Sequence, residues 1–548
     1  MPKNLPIRNT KLVVDTIIYT LFWLPSIGAV MTANKETVLL LGASGSMGLE
    51  AFTQLWEKKN ENGNRKYDVA LLLRPSKKNK KMFAPFEKEC EIDGIPERGC
   101  VEGNGLRIVW GDATIYADML EAVRGVDWIL SPMAFIAPAA DHDPDTSKAV
   151  NTTAVQHIIK AIYEVGGQDH IKLVYIGSVA QTGDRLQEIH MGRIGDPLKP
   201  SIFDFYATCK IAGERSVIES GLKYWVSLRQ TYIAIPDAMS LQDPIMFHQP
   251  LDTCIEFNTS RDAGRGLINC LDVPETSDFW RRVYNMGGGP SCRITYYEYM
   301  KDMYEFLGMG DFREVMDRNW FALRNFHCQY FEDNYILNEY IHNWGDDLET
   351  YYQQVVDNLP TELKVAKGLL KVPGLRGSVK KATRKRMEEM VDSKDGTRYW
   401  YENGNIPRIN AFYGSMEAYE SIGNWDDELP NLKPEWKRLD HGYDESKEIL
   451  DIGDLRGAAQ FRGGTLLSRE WNGDIYGKIQ WRCAFDHEFD ATPYLVLKTG
   501  HWCPDCAPPA WNYDEVAKKN PFFAQVWYPN HTEEESNYYP ADCYKDIL

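Results

Sequence analysis

A glycine-rich turn directly after a short apolar run limits the folds open to this chain. Thr37-Val-Leu-Leu-Leu41 forms the run, and Gly42-Ala-Ser-Gly-Ser-Met-Gly48 follows it. In this order Gly42 permits a tight turn, Gly45 permits close approach of a ligand to the backbone, and Gly48 lets the next helix pack on the strand. Unpaired N–H groups at the start of such a helix suit phosphate. The residues predicted to hold a dinucleotide here are Gly42, Ser44, Gly45, Ser46, Met47 and Gly48.

Short apolar runs alternate with segments of helical spacing from Thr37 to about Leu307. The predicted strands are Val38–Leu41, Asp68–Leu73, Arg107–Trp110, Trp128–Ser131, Lys172–Gly177 and Trp225–Arg229. The predicted helices are Gly48–Lys58, Ala117–Val123, Val150–Val165 and Phe205–Glu219. Strands that alternate with crossover helices build a parallel sheet. We therefore predict an α/β fold with a Rossmann-type doubly wound parallel sheet.

The length and the charge of the chain limit the architectures and the partners that we expect. A chain of 548 residues exceeds what one hydrophobic core usually serves, which predicts two or three domains. A formal net charge of −18 argues against a dedicated nucleic-acid binder, because phosphate neutralisation needs clustered Lys and Arg. The basic run from Lys380 to Arg386 is predicted to be a solvated helix face, with a local basic patch as the alternative.

Residues 1–36 form an apolar extension or leader that includes Ile17-Ile-Tyr-Thr-Leu-Phe-Trp-Leu24. Three interpretations stay open: a dispensable segment ahead of a native start at Met31, a membrane-associating helix within residues 12–30, or an export signal. The eleven cysteines are scattered, which indicates a reducing compartment. We predict a cytoplasmic protein, with membrane association if the leader is retained.

The end of the second predicted strand bears on which dinucleotide would bind. Asp68-Val-Ala-Leu-Leu-Leu73 is followed by Arg74-Pro-Ser-Lys-Lys78, where an NAD enzyme would place an acidic residue against the ribose 2′-hydroxyl. Arginine suits a 2′-phosphate instead, because its guanidinium can form two hydrogen bonds to phosphate. We predict NADP binding through Arg74, with NAD and a solvated basic loop as the alternatives.

A tyrosine and a lysine four residues apart, Tyr206 and Lys210, lie on one face of a predicted helix. A free tyrosine has a pKa of about 10, and a nearby ammonium favours the phenolate. Ser178, which ends the fifth predicted strand region, would hold a substrate oxygen while Tyr206 gives or takes its proton. Ser178, Tyr206 and Lys210 are therefore the predicted catalytic residues.

Several short motifs occur in the same order as these residues. They are Gly111-Asp-Ala-Thr114, Ser131-Pro-Met-Ala134, Val150-Asn-Thr-Thr-Ala-Val155, Val174-Tyr-Ile-Gly-Ser178, Leu228-Arg-Gln-Thr231, Arg261-Asp-Ala263 and Tyr284-Asn-Met-Gly-Gly288. Residues 37–310 thereby closely resemble the extended short-chain dehydrogenase/reductase superfamily, which includes NAD-dependent epimerases and dehydratases of sugar nucleotides. The resemblance implies that Asp112 contacts the adenine, that Ser131, Met133 and Ala134 line the cofactor, and that Lys210 also binds the nicotinamide ribose.

Two regions depart from that resemblance. The link Pro85–Gly105, with Cys90 and Cys100, is longer than usual. Residues 311–475 form an insert rich in aromatic residues, which we predict to be largely helical, with loop-rich joints at Pro360–Pro373 and Asp392–Asn405. The insert is interpreted either as a core that packs on the Rossmann domain or as a lid for an apolar or polycyclic substrate.

The C-terminal residues 476–548 carry a pattern typical of metal binding. Cys483 and His487 are followed by Cys503-Pro-Asp-Cys506, and together they supply four ligands for tetrahedral zinc. His501 is an alternative fourth ligand. The spacing predicts a zinc-ribbon-like module whose complete ligand set makes the metal structural, with unlinked buried thiols as the alternative.

Taken together, these features predict an NAD(P)-dependent oxidoreductase that acts on a carbonyl or hydroxyl group of a small molecule. An epimerase or dehydratase of the sugar-nucleotide type is the alternative among enzymes. A non-catalytic protein that senses a dinucleotide is the alternative outside them. We also expect a homodimer and no nucleic-acid partner.

Overall fold

The structure, a computed structural model, describes residues 35–92, 96–237, 243–372, 374–427, 435–506, 512–537 and 539. The predicted leader falls almost entirely outside these ranges. Glu36–Leu548 forms one compact unit, which contains the three predicted segments 37–310, 311–475 and 476–548. The division of this unit into those domains stays a prediction.

The elements are numbered in chain order. The strands are β1 Thr37–Leu41, β2 Asp68–Leu73, β3 Gly99–Gly103, β4 Leu106–Trp110, β5 Trp128–Ser131, β6 Lys172–Ser178, β7 Met191–Gly192, β8 Tyr224–Gln230, β9 Ile233–Ala234, β10 Cys254–Glu256, β11 Asn258–Thr259, β12 Arg282–Met286, β13 Arg293–Thr295, β14 Tyr330–Phe331, β15 Thr465–Leu466, β16 Ile479–Arg482 and β17 Glu488–Ala491. The α-helices are α1 Ser46–Glu57, α2 Lys77–Glu89, α3 Tyr116–Val123, α4 Ala139–His142, α5 Pro144–Lys148, α6 Ala154–Glu164, α7 Phe205–Ile218, α8 Ser260–Asn269, α9 Tyr296–Phe306, α10 Asn334–Ile341, α11 Leu348–Asp357, α12 Thr361–Leu369, α13 Arg376–Val391, α14 Thr397–Glu402, α15 Ile406–Tyr413, α16 Met416–Glu420, α17 Ile452–Phe461, α18 Tyr513–Lys519 and α19 Pro521–Trp527.

The central sheet has eight strands in the order β12-β8-β6-β5-β1-β2-β4-β3. All neighbours are parallel except β3, which pairs antiparallel with β4 at the edge. The strand order reverses direction at β1, which pairs with β2 on one side and β5 on the other. This is the topology of a doubly wound Rossmann sheet, whose ligands bind where the order reverses. The predicted fold class is confirmed.

Alternate residues of β1 face two different cores. Val38 and Leu40 pack on one face of the sheet with Phe52 of α1. Leu39 and Leu41 pack on the other face, in a cluster that also contains Trp481 from the C-terminal segment. Because side chains pack against both faces of the sheet, the central strands have continuous apolar sequences.

All six predicted strands and all four predicted helices are present with small shifts of their ends. The helix predicted over Val150–Val165 begins as a π-helical segment, Ala149–Thr153, before α6. Of the longer elements in residues 37–310, α2, α8, α9, β3 and β12 were not predicted. The long link Pro85–Gly105 contains the end of α2 and all of β3, so its extra length builds an edge strand.

The insert is less continuous than predicted. Its aromatic region is divided between irregular segments and the short helices α10 and α11. Both joints predicted to be loop-rich contain a helix, α12 in one and α14 in the other. Trp320, Phe321 and Tyr351 are buried in one core cluster, so much of the aromatic content builds a core.

Within the described ranges, no helix has the length and apolarity needed to cross a lipid bilayer.

Candidate active site and metal centre

The glycine turn between β1 and α1 has the geometry of a phosphate cradle. Gly42 adopts a φ of +82°, and a Cβ there would lie 2.9 Å from the Met133 Cα atom. A Cβ on Gly48 would lie 2.0 Å from the Gly42 carbonyl oxygen. Gly45 and Ser46 are exposed at the start of α1, where no side chain caps the helix in the described structure. The first N–H groups of α1 are therefore open to an anion.

The other residues predicted from the turn and from the fourth strand surround this cradle. Ser131 ends β5, beside β1, and its buried hydroxyl has no hydrogen-bond partner among the described residues. Met133 lies against Gly42, and Ala134 is exposed beyond it. Ser44 is half-buried, whereas Met47 packs in the core, so a contact from Met47 to a ligand would use its backbone.

Arg74 directly follows β2, and Asp112 lies two residues after β4. Both are at the carboxyl ends of the parallel strands, as is the glycine turn after β1. Arg74 is exposed two residues beyond Leu72, which pairs with Leu41 of β1. The Asp112 Oδ1 atom accepts hydrogen bonds from the Thr114 N–H at 2.9 Å and from the Thr114 hydroxyl at 2.8 Å. The glycine cradle, the open helix terminus and the unpartnered Ser131 hydroxyl together fit a dinucleotide.

Ser178 and Tyr206 are brought together at the carboxyl end of β6. Ser178 is the last residue of β6, and its hydroxyl lies near the Tyr206 phenol, whose pKa it lowers. The Ser178 Oγ atom also accepts a hydrogen bond from the Ala180 N–H at 3.2 Å, which fixes its position. Burial raises the pKa of Tyr206 to about 12, the Ser178 contact opposes the rise, and the Asp204 carboxylate adds to it.

Lys210 lies one turn further along α7, and its ammonium contacts groups of β6. Its Nζ atom donates to the Ile176 carbonyl oxygen at 2.5 Å and lies 4.5 Å from the centre of the Tyr175 ring. Burial lowers the pKa of Lys210 to about 7, and Glu214 partly offsets the fall. Burial is the largest influence on the pKa of Tyr206, and the expectation that Lys210 favours the Tyr206 phenolate stays a prediction.

A cavity opens beside the start of α7. The Asp204 Oδ1 atom caps this helix by accepting from the Ala207 N–H at 2.7 Å, and the Asp141 Oδ1 atom accepts from the Phe205 N–H at 3.2 Å. Burial, and next the Asp204 charge, raise the pKa of Asp141 well above its usual value. The insert supplies Asn325, Phe326, His327, Asp395, Trp400, Arg408 and Phe412 to the cavity wall. The cavity is therefore lined by residues of both the 37–310 segment and the aromatic-rich insert.

A buried ionic network behind α7 was not foreseen from the sequence. Arg229 Nη2 donates to the Glu214 Oε1 atom at 2.6 Å, and the two side chains are 1% and 0% exposed. Ser227 donates to Glu214 Oε2 at 2.9 Å, and His501 Nε2 lies 2.9 Å from Glu214 Oε1. The signals available were Glu214 on α7 and Arg229 within the apolar strand β8, and neither identifies its partner.

The four predicted metal ligands converge, and all of their donor atoms lie within 4.8 Å of one another. The Sγ atoms of Cys483 and Cys506 are 3.7 Å apart, and His487 Nδ1 lies 3.6 Å from Cys503 Sγ and 3.4 Å from Cys506 Sγ. A tetrahedral zinc site with Zn–S bonds of about 2.3 Å separates its sulfur atoms by about 3.8 Å. The donor set therefore fits zinc.

His501, the alternative fourth ligand, is not part of this cluster, because its ring contacts Glu214. Cys483 and His487 lie at the two ends of the turn between β16 and β17. This turn faces Cys503 and Cys506, as expected for two facing knuckles.

No protein-family model matches the chain, and no curated protein matches it. Among solved structures, UDP-glucuronic acid 4-epimerase from Bacillus cereus, in complex with UDP-glucuronic acid and NAD, is 14% identical, with a TM-score of 0.44 over 59% of this chain and 100% of that one. A dTDP-glucose 4,6-dehydratase double mutant from Streptomyces venezuelae with NAD is 18% identical and has a TM-score of 0.44. The match covers 59% of this chain and 97% of the dehydratase. The UDP-Glc/GlcNAc 4-epimerase of Campylobacter jejuni is 15% identical and has a TM-score of 0.44. The match covers 59% of this chain and 98% of that epimerase.

The sheet order and the glycine turn define a protein with a Rossmann-type dinucleotide-binding fold. The three solved structures named above are epimerases and a dehydratase. The predicted resemblance to the extended short-chain dehydrogenase/reductase superfamily stays a prediction, while the sheet order confirms the Rossmann-type fold that it implies.

Proposed function

We propose that this protein is an NAD(P)-dependent oxidoreductase that acts on a carbonyl or hydroxyl group of a small molecule. The observation that carries the proposal is that Ser178 and Tyr206 lie near each other at the carboxyl end of β6, the same end of the parallel sheet as the glycine turn. A bound nicotinamide would supply or accept the hydride. Fold likeness alone would not support a reaction, because one fold hosts many functions.

In this mechanism Tyr206 holds the proton that a substrate oxygen gains. With its pKa raised to about 12, the phenol is protonated near neutrality, which suits a general acid that donates to a carbonyl during reduction. Ser178, fixed by its bond from Ala180, orients the same oxygen. Lys210, whose pKa is lowered to about 7, can change its charge near neutrality when a ligand replaces its contact with Ile176.

The cavity beside α7 is the proposed substrate site. Phe203, Phe326 and Trp400 offer apolar ring surface for an apolar or polycyclic body, and Asp141 and Asp204 offer polar groups near the reacting end. In this proposal the insert acts as part of the substrate pocket in addition to its core role. Arg74 would select NADP, and the four C-terminal ligands would hold one structural zinc ion.

The experiment that tests the reaction is a cofactor-turnover screen. Purified protein is mixed with NADPH or NADH and a panel of carbonyl compounds that includes steroid-like and aromatic ones, and absorbance of the reduced nicotinamide is followed. The proposal expects a loss of absorbance with at least one compound, and a loss slower by about 10²-fold or more with the Tyr206→Phe variant. Equal rates in the two proteins would overturn the proposal.

A second candidate is an epimerase or dehydratase that returns the hydride to the same molecule, and the geometry at Ser178 and Tyr206 suits it equally. Sugar nucleotides converted with no net change in added NADPH would favour it. A protein that binds dinucleotide but converts none of these compounds would instead be a sensor. A homodimer in the cytoplasm also stays a proposal, which sedimentation and cell fractionation would test.

A further inference from the structure

Two neighbouring helices of the insert carry a concentration of positive charge that the proposed reaction does not use. We call α12, α13 and the residues between them, 361–391, the basic helix pair. From Leu363 to Met387 the sequence has no Asp or Glu, in a chain whose formal net charge is −18. The basic residues in this stretch are Lys364, Lys367, Lys371, Arg376, Lys380, Lys381, Arg384, Lys385 and Arg386.

Some of these charges are balanced within the protein and others face solvent. Lys380 pairs with Glu314, and Arg384 pairs with Asp317 at 2.8 Å. Five others are exposed and make no ion pair within the described part of the chain. They are Lys364, Lys371, Arg376, Lys381 and Lys385. This surface is therefore positively charged on a protein that is negative as a whole.

The same segment of the chain exposes large apolar side chains. Val365 is 57% exposed, Leu369 39%, Val372 43% and Leu375 41%. Four such residues within eleven positions form a local concentration, whereas single exposed apolar residues are ordinary on protein surfaces. Apolar side chains interspersed with Lys and Arg are typical of helices that lie in a membrane interface.

An apolar cavity of about 420 Å³ lies behind the basic helix pair. Its wall includes five methionines, from Met246 to Met387, and its only charged lining residues in the described structure are Lys367 and Arg386. The volume lies in the range of small-molecule sites, which are mostly apolar with few polar groups. Methionine side chains adapt to flexible apolar ligands.

We propose that the basic helix pair docks on an anionic lipid bilayer and that the methionine-lined cavity receives one acyl chain of an anionic lipid. The cationic residues attract the lipid headgroups, and Val365, Leu369, Val372 and Leu375 enter the interface. A single-stranded nucleic acid would match the charge but not the aliphatic residues. Residues 361–391 also contain no Phe, Tyr or Trp on which bases could stack. The proposal is independent of the reaction at Tyr206.

Vesicle co-sedimentation of the full chain tests whether the positive charge of the basic helix pair drives membrane binding. Binding to vesicles of phosphatidylcholine with phosphatidylglycerol is expected to exceed binding to phosphatidylcholine alone and to weaken as salt is raised. The variant Lys364→Glu/Lys371→Glu/Lys381→Glu/Lys385→Glu should lose binding by at least about 10-fold. The matched control Lys59→Glu/Lys88→Glu/Lys223→Glu/Lys301→Glu carries the same charge change elsewhere and should bind like the parent. Equal losses in both variants would overturn the docking surface.

Two further measurements distinguish membrane binding through the basic helix pair from binding through the leader and from binding of a nucleic acid. Hydrogen exchange should show protection of residues 361–391 with anionic vesicles. Protection by single-stranded RNA and not by vesicles would overturn the proposal in favour of a nucleic-acid site. Leu369→Ser/Val372→Ser should weaken vesicle binding, whereas Ile449→Ser, at a residue 85% exposed, should not.

The cavity is tested with Ala382→Trp, because Ala382 is exposed at its wall and the larger ring would fill it. Native mass spectrometry after incubation with phosphatidylglycerol vesicles should find a lipid on the parent protein and none on this variant. Equal lipid occupancy in both proteins would overturn the assignment of the cavity.

Discussion

The Nε2 atom of His501 lies 2.9 Å from the Oε1 atom of Glu214. Glu214 belongs to α7, the helix that begins at Phe205 and carries Tyr206. His501 lies two residues before Cys503, one of the proposed zinc ligands. The C-terminal module and the helix of the proposed active site therefore share one buried network, and disturbance of one is expected to reach the other.

Replacement of Tyr206 by Phe should leave dinucleotide affinity unchanged and lower turnover by about 10²-fold or more, the usual contribution of a positioned acid–base group. Steady-state kinetics and calorimetry measure the two effects. Tyr335→Phe, at a residue 52% exposed, is the matched control. Turnover like that of the parent in Tyr206→Phe would remove this tyrosine from the mechanism.

Replacement of Arg74 by Ala should weaken NADP binding by about 10-fold or more and leave NAD binding almost unchanged, because only NADP carries a 2′-phosphate for the guanidinium. Calorimetry with both dinucleotides gives the ratio. Lys77→Ala, at an exposed neighbour, controls for general loss of positive charge. Equal losses for NADP and NAD would contradict the role of Arg74.

Elemental analysis of the purified protein should find about one zinc ion per chain, as expected of a closed four-ligand site. Cys503→Ser or chelation should loosen the C-terminal module, since metal binding and folding are coupled at such sites. Dinucleotide binding should persist, because the glycine turn lies on another part of the sheet. Cys100→Ser, at an exposed cysteine, should retain the metal. A metal-free native protein whose four ligand residues react freely would contradict the zinc site.

Replacement of Glu214 by Gln should lower the free energy of unfolding by about 3–5 kcal/mol, since it leaves the buried Arg229 charge unpaired. Denaturant unfolding measures the change. Glu488→Gln removes an ion pair with Arg482 whose side chains are 43% and 55% exposed, and it should cost about 1 kcal/mol or less. Similar costs for the two variants would show that the buried network adds little.

The Lys210 pKa predicts a dependence of stability on pH. Its folded-state pKa is lowered to about 7, below the usual 10.5, so between these values the unfolded chain binds more protons. The free energy of unfolding should therefore rise with pH across that window, by up to about 1.4 kcal/mol per pH unit. Lys210→Met should remove this rise, and the exposed Lys223→Met should keep it. Denaturant unfolding at pH 7 and pH 9 makes the comparison.

Local sequence patterns determined much of the fold. The strands β1, β2, β4, β5, β6 and β8 and the helices between them follow from hydrophobic periodicity, which neighbouring residues specify. The glycine turn and the metal ligands were also predictable, because a tight turn and a Cys-x-x-Cys pair depend on short spacing. The edge strand β3 and the last parallel strand β12 were missed, since neither has a long apolar run.

The amino-acid sequence by itself thus determined the Rossmann sheet, the glycine turn and the set Cys483, His487, Cys503 and Cys506. Only the tertiary structure decided that His501 contacts Glu214 rather than the metal cluster, that Lys210 is directed to Ile176, and that the insert contributes to the cavity beside α7. The physical reason is distance along the chain: His501 and Glu214 are separated by 287 positions. Such a contact depends on how whole elements pack, and that packing also sets the burial that determines the pKa of Lys210 and Tyr206.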